Sequence, residues 1–144
     1  MDITVLTHGS RGDVQPYVAL AQGLKSAGHH LRIAADISFK DFIQAQGLDY
    51  FPAGDYVAPL KKKMGRWLEG KTELVRGLYY THFLKSWLPS LLNEWWEACR
   101  GTDAIIYTPT VFGGYHIAEK LGVPGFSAQV NPPITPTRSF PSCA

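Results

Sequence analysis

The sequence has few features of a disulfide-rich, membrane-spanning or nucleic-acid-binding protein. Its 144 residues include two cysteines, Cys99 and Cys143, and neither has metal-site spacing, so we expect free thiols in a reducing compartment. No apolar run reaches the roughly 18 residues that span a bilayer, and residues 1–3 lack the basic start of a signal peptide. The net charge of +2 is too small to indicate nucleic acid as a partner. We therefore expect a cytoplasmic domain.

Several catalytic sequence patterns are also missing. No two histidines have the spacing of a zinc site, so no metal is predicted. No serine lies in a G-x-S-x-G setting, which argues against an acyl-transfer nucleophile. The turn at Gly9 and Gly12 has two of the three glycines of a dinucleotide-binding turn. A dinucleotide site with Asp36 on a ribose is therefore an alternative that lacks its packing glycine.

The alternation of apolar and amphipathic segments predicts an α/β fold. We predict strands at residues 3–6, 30–35, 48–52, 103–107 and 125–130, and helices ending near Gly28, Gly47 and Gly122. A long aromatic helix is predicted over 78–100, kinked or split at Pro89. Residues 54–77 are expected to form a loop with a short helix, and 131–144 an extended connection. Short connections favour right-handed βαβ units, hence a Rossmann-like parallel sheet with helices on both faces.

The most informative segment, residues 7–16, joins the first strand to the first helix. In an open α/β sheet such turns lie at the carboxyl ends of the strands, where ligands bind. The glycines allow a tight turn, and Pro16 suits the first helical turn. Asp13 has two compatible interpretations: a helix N-cap worth about 1 kcal/mol, or an ionised general base facing a cleft. His8 ends the first strand and is a candidate for the same cleft.

Two further elements start from short polar patterns. Ser38, followed three residues later by Asp41, predicts the start of the second helix in the manner of a capping box. The basic and aromatic cluster at 61–68 fits either an anionic membrane surface or a solvated helix face.

The segment Gly9-Ser10-Arg11-Gly12-Asp13-Val14-Gln15-Pro16-Tyr17 resembles the N-terminal domain of GT-B glycosyltransferases. The likeness is greatest to sterol glucosyltransferases and to bacterial glucosyltransferases of glycopeptides and other natural products. Further matching stretches lie at 20–29, 42–47, 51–55, 118–124 and 136–141. The resemblance implies that residues 1–144 are the acceptor-binding N-terminal half of a GT-B fold. The donor-binding C-terminal domain is then absent from them.

The resemblance also implies a function. Asp13 matches the general base of an inverting, UDP-sugar-dependent enzyme that acts on a sterol, lipid or other apolar alcohol. Related plant enzymes have a histidine there, oriented by an aspartate after the fourth strand; residues 107–110 lack that aspartate, so Asp13 is expected to act alone. The remaining candidate acceptor-binding residues are His8, Ser10, Arg11, Thr108, Thr110 and Asn131, with Trp87 as a further aromatic candidate.

The resemblance implies neither a metal nor a cofactor. The UDP-sugar donor would bind mainly to the C-terminal domain, supplied by the same protein or by a partner chain, so residues 1–144 are expected to be inactive alone. The chain is then a fragment, a truncation or a separate subunit. A peripheral membrane contact is a further possibility. The alternative is a non-catalytic lipid- or partner-binding module derived from such a domain.

Overall fold

One parallel sheet of five strands organises the domain, in the order β3-β2-β1-β4-β5. The computed structural model describes residues 1–55 and 73–130, and their side chains except those of 73–84 and 86. The strands are β1 (Asp2–Leu6), β2 (His30–Ala35), β3 (Asp49–Pro52), β4 (Ala104–Tyr107) and β5 (Gly125–Ser127). The chain adds β2 and β3 on one side of β1, and then β4 and β5 on the other side. The boundary between β1 and β4 is therefore the topological switch point, beside which open α/β sheets bind ligands.

Within residues 1–55 and 73–130, four α-helices cover both faces of the sheet: α1 (Arg11–Ser26), α2 (Lys40–Gln44), α3 (Glu73–Ala98) and α4 (Gly114–Leu121). Successive side chains of a strand point to opposite faces. In β1, Val5 packs with the α1 and α2 residues, whereas Leu6 packs with α3 and α4, where Trp95 is fully buried. This arrangement confirms the predicted Rossmann-like sheet with helices on both faces.

Some predicted element bounds differ from those observed. Helix α3 already begins at Glu73 and continues through Pro89 without being split, because a proline removes only one bond from a helix that is packed on the sheet through Leu91 and Trp95. Strand β5 ends at Ser127, and α4 begins at Gly114 after a turn rather than at residue 111. The predictions for 56–72, including the basic cluster, and for 131–144 lie outside the described residues.

Two predicted helix starts are also wrong. Helix α1 starts at Arg11, so Pro16 is its sixth residue and lies beyond the first turn. Because proline has no N–H, the Gly12 carbonyl receives no helical hydrogen bond from Pro16. Ser38 is not an N-cap; a short 3₁₀ helix (Ile37–Phe39) is capped by Asp36, whose Oδ1 accepts from the Ser38 amide (3.0 Å). Asp41 lies in the first turn of α2. Over the described part of the chain, no helix is both long and apolar enough to cross a bilayer.

Candidate active site

The candidate site lies where β1 and β4 end, at the switch point of the sheet. Each strand is prolonged by one further backbone bond: the Thr7 amide donates to Ala34 O (3.0 Å), and the Thr108 amide donates to Leu6 O (3.1 Å). Both threonines are buried. The fold therefore brings residues 7–13 and 108–112 together, although about a hundred positions separate them in the chain.

Asp13 is half-buried in the first turn of α1. The helix N-cap is Ser10, so the predicted N-cap role of Asp13 is wrong: it is the third helical residue, and its carboxylate turns back to the cap. Asp13 Oδ2 accepts hydrogen bonds from the Ser10 amide (2.7 Å) and from Ser10 Oγ (2.9 Å). Asp13 Oδ1 accepts none from residues 1–55 or 73–130. One oxygen is thus fixed, and the other remains able to accept a proton.

Gly9 determines how closely the turn can approach this carboxylate. Its φ of +133° is a conformation that side-chain-bearing residues rarely adopt, and a Cβ built on it would lie 2.5 Å from Asp13 Oδ2. From the inner side, Thr7 Oγ1 donates to the Asp13 carbonyl oxygen (2.6 Å). The Asp13 main chain and side chain are therefore both held by the turn that precedes α1.

Thr108 and Thr110, predicted to line the acceptor site, do lie beside the β1–α1 turn. Thr110 Oγ1 donates to the His8 carbonyl oxygen (2.8 Å) and lies 2.7 Å from Thr108 Oγ1. Thr108 is 2% exposed, whereas Thr110 is exposed. The hydroxyl groups thus join the two strand ends to each other.

His8 lies at the same sheet edge, with its ring edge-on to Trp95 at 6.3 Å between centroids. Burial lowers the pKa of His8, and the nearby carboxylates of Asp36 and Asp13 oppose that shift. The neutral ring is therefore favoured near pH 7. Asp36, invoked for the dinucleotide alternative, is 1% exposed and also accepts from Ser38 Oγ (2.6 Å), so its carboxylate is engaged in the local turn.

An aromatic pair that the sequence patterns did not indicate adjoins His8. Phe112 is 57% exposed and packs edge-on against the fully buried Trp95, with centroids 6.0 Å apart. The turn before α4 packs closely on α3, since a Cβ on Gly113 would lie 2.7 Å from Leu92 Cδ2 and 3.5 Å from Trp95 Cε3. An exposed phenylalanine next to a polar strand edge supplies an apolar surface that the core does not use.

The other predicted acceptor-binding residues are placed differently. Arg11 lies over the Phe42 ring, 5.2 Å from its centroid, and its Nε donates to Gln15 Oε1 (3.2 Å), so the guanidinium is directed toward α2. Asn131 lies outside the described residues. Trp87 is partly buried on α3. Among the residues with described positions, no group of three or more His, Cys, Asp or Glu side chains could hold a metal ion.

Comparison with known proteins identifies the family. The model of the glycosyltransferase family 28 N-terminal domain matches residues 3–140. The chain belongs to this family. The sterol 3-beta-glucosyltransferase of Sclerotinia sclerotiorum is 38% identical over 146 residues, which cover 96% of this chain and 10% of that protein. The enzyme of the same name from Neurospora crassa is 41% identical over 154 residues, which cover 98% of this chain and 9% of that protein.

The family 28 domain thus spans about a tenth of the length of these relatives. Solved structures share its fold: CalG4, the calicheamicin glycosyltransferase, superposes with a TM-score of 0.71 at 16% identity, covering 96% of this chain and 34% of that one. The glycosyltransferase of kitacinnamycin gives 0.69 at 18% identity, covering 94% and 31%. These structures confirm the predicted N-terminal half of a GT-B fold.

In this family 28 domain, the described groups at the switch point include a half-buried carboxylate and an exposed aromatic ring. The Asp13 carboxylate lies in the first turn of α1, at the N-terminal end of the helix. A carboxylate with one oxygen held by two donors is a group that can take a proton from a bound hydroxyl, which is the task of a general base.

Proposed function

We propose that this domain binds the acceptor of an inverting, UDP-sugar-dependent glucosyltransferase, and that the acceptor is a sterol or a similarly apolar alcohol. The observation that carries the proposal is the Asp13 carboxylate at the switch point, held on Oδ2 by both Ser10 donors while Oδ1 accepts no hydrogen bond from residues 1–55 or 73–130. The names of the sterol 3-beta-glucosyltransferases, at 38–41% identity, support a sterol acceptor.

Asp13 acts as the general base in the proposed reaction. Its Oδ1 takes the proton of the acceptor hydroxyl while that oxygen bonds to the anomeric carbon of the sugar. The bond from that carbon to the diphosphate breaks at the same time, and the nucleoside diphosphate leaves with the electron pair. Attack opposite the leaving group inverts the anomeric configuration. A carboxylate has no tautomer to fix, so Asp13 needs no aspartate of its own after β4.

The apolar part of the acceptor lies against Phe112, with Trp95 behind it. A flat ring system covering an exposed aromatic side chain buries apolar area on both partners. Few polar groups at such a wall suit a hydrophobic ligand. We place the domain in the cytoplasm, as the sequence predicts. Because sterols are supplied by membranes, we also place it in peripheral contact with a membrane.

The donor binds mainly to a second domain in this proposal. Among the described residues, the groups identified at the switch point are the proposed base and an exposed aromatic ring, which provide for an apolar alcohol and not for the nucleoside diphosphate of a UDP-sugar. We therefore expect residues 1–144 alone to bind a sterol but not to transfer sugar to it.

The deciding variant is Asp13→Asn, made in this domain joined to a glycosyltransferase donor-binding domain. Asparagine keeps an oxygen for the Ser10 donors but cannot take the proton, so kcat should fall about 10²- to 10⁴-fold. Sterol binding should stay within about two-fold of wild type because no apolar contact changes. Asp41→Asn, which removes an exposed carboxylate on α2, is the matched control and should leave kcat unchanged.

Each outcome of that experiment bears on the proposal. Undiminished transfer by Asp13→Asn would place the base elsewhere and overturn the mechanism. If wild type binds sterol but no UDP-sugar supports transfer, the non-catalytic lipid-binding module becomes the better description.

A further inference from the structure

We infer that Thr110 is a positioning residue for Asp13, acting from the end of β4 through its hydrogen bond to the His8 main chain. The inference rests on the proposed function, because it assigns to Thr110 the task of holding the base in place. It also concerns the loop after β4, where residues 107–110 carry no aspartate.

The direction of the hydrogen bonds follows from counting protons. The His8 carbonyl can only accept, so the single hydroxyl proton of Thr110 must point to it (2.8 Å). Thr110 Oγ1 can then only accept from Thr108 Oγ1, 2.7 Å away. Thr108 is therefore the donor of that pair, and the chain of hydroxyl groups runs in one direction, from Thr108 through Thr110 to His8.

The His8 carbonyl is connected to the Asp13 carboxylate through the backbone of Gly9 and Ser10. It belongs to the peptide unit that precedes Gly9, whose Cα lies against the Asp13 side chain. The next residue, Ser10, supplies both donors to Asp13 Oδ2. A rotation of the His8–Gly9 peptide would displace Gly9 and the Ser10 amide together. Thr110 therefore restrains, from a neighbouring strand, the segment that fixes the base.

This geometry favours a positioning role for Thr110 over donation of a hydrogen bond to the acceptor. Its only proton is used by His8, so donation to an acceptor hydroxyl would break the restraint. Thr108 is 2% exposed and therefore has almost no surface for a ligand.

The first test uses the 144-residue chain and needs no activity. Thr110→Val removes the hydroxyl at nearly constant volume, and Thr110→Ser retains it. We expect amide hydrogen exchange at Ser10 to quicken several-fold in Thr110→Val and to remain at the wild-type rate in Thr110→Ser. Thr102→Val is the matched control, since Thr102 Oγ1 lies 2.9 Å from both Asp2 O and Ala104 O, where β1 and β4 begin, and shares its one proton between these two carbonyl oxygens. It should leave Ser10 exchange unchanged.

The second test measures transfer by the domain joined to a donor-binding domain. A misplaced base slows chemistry, so Thr110→Val should lower kcat about 10- to 100-fold with acceptor KM within about two-fold of wild type. Thr110→Ser should restore kcat, and Thr102→Val should not lower it. In an Asp13→Asn background, Thr110→Val should cost nothing more, because the base that it positions is gone.

Failure of this inference is distinguishable from failure of the proposed function. If Asp13→Asn abolishes transfer but Thr110→Val leaves kcat and Ser10 exchange unchanged, Asp13 is the base and Thr110 does not position it. If the losses of Thr110→Val and Asp13→Asn add fully, Thr110 acts independently of Asp13, and the inference is wrong. If Asp13→Asn has no effect on kcat, the proposed function itself fails.

Discussion

The two glycines of the β1–α1 turn should respond to alanine in opposite directions. Gly9 has φ +133°, and a Cβ there would lie 2.5 Å from Asp13 Oδ2 and 2.8 Å from Asp13 Cγ. Gly12 is the second residue of α1, and a Cβ there would meet only Ser10 Oγ, at an ordinary 3.7 Å. Alanine at Gly9 therefore requires an unfavourable backbone conformation and clashes with Asp13, whereas alanine at Gly12 fits into a helix without a clash.

The magnitudes follow from these contacts. Forcing alanine into the Gly9 conformation costs about 1–3 kcal/mol, and displacing the Asp13 carboxylate from the Ser10 amide costs about 1 kcal/mol of capping energy. Gly9→Ala should thus lower the free energy of unfolding by about 2–4 kcal/mol. Gly12→Ala should raise it by about 0.5 kcal/mol, because alanine loses less backbone entropy on folding.

Urea and thermal unfolding of the 144-residue chain measure both effects. At roughly 3 °C per kcal/mol for a domain of this size, Gly9→Ala should lower Tm by about 6–12 °C, while Gly12→Ala should leave Tm unchanged or slightly raised. Part of the Gly9→Ala loss should disappear in an Asp13→Ala background, where the carboxylate is no longer in the way. Equal responses of Gly9 and Gly12 would refute the reasoning.

Three further predictions concern stability and reactivity. Burial lowers the pKa of His8, so the unfolded chain binds more protons than the folded chain as the pH drops below about 6.5. The free energy of unfolding should therefore fall over that range, and it should fall less in His8→Asn. Urea titrations between pH 5 and 8 would measure both. Tyr17→Phe, which deletes the hydrogen bond to Ala128 O (2.8 Å), should cost about 1 kcal/mol in urea unfolding, whereas Tyr115→Phe, at an exposed site, should cost nothing. Burial raises the pKa of the Cys99 thiol to about 12, so iodoacetamide should modify Cys99 in the folded chain no faster than the chain unfolds, as peptide mapping would measure.

The order of strands and helices could be predicted because each element carries its own local pattern. The alternation of buried strands with short connections was enough to predict the parallel sheet, which the structure and the solved glycosyltransferases confirm. Boundaries depended on contacts that no local pattern contains. Residues 111–114 form a turn before α4, in which the Gly114 amide donates to Val111 O (2.9 Å), and a Cβ on Gly114 would lie 2.4 Å from Tyr107 Cγ, on a neighbouring strand.

The site was predictable only where its contacts are local. Asp13 was singled out from the motif that carried the resemblance, although its pairing with Ser10, three residues earlier, was not predicted. The bond from Thr110 to His8 spans 102 positions, and nothing in either local segment indicates it. Arg11 was expected in the cleft, but the structure places its guanidinium over the Phe42 ring, a contact that exists only once α2 packs beside α1.

The arrangement at the switch point explains how a carboxylate can serve as a base without an orienting partner of its own. An imidazole base needs a second side chain to select its tautomer, whereas a carboxylate needs only a fixed direction. Here that direction comes from the start of a helix: the Ser10 donors that satisfy Asp13 Oδ2 also complete the N-terminus of α1. Helix stability and orientation of the proposed base therefore depend on the same two hydrogen bonds. The loop after β4 has no base side chain to orient. It contacts the main chain of the β1–α1 turn instead, because the Thr110 hydroxyl donates to the His8 carbonyl.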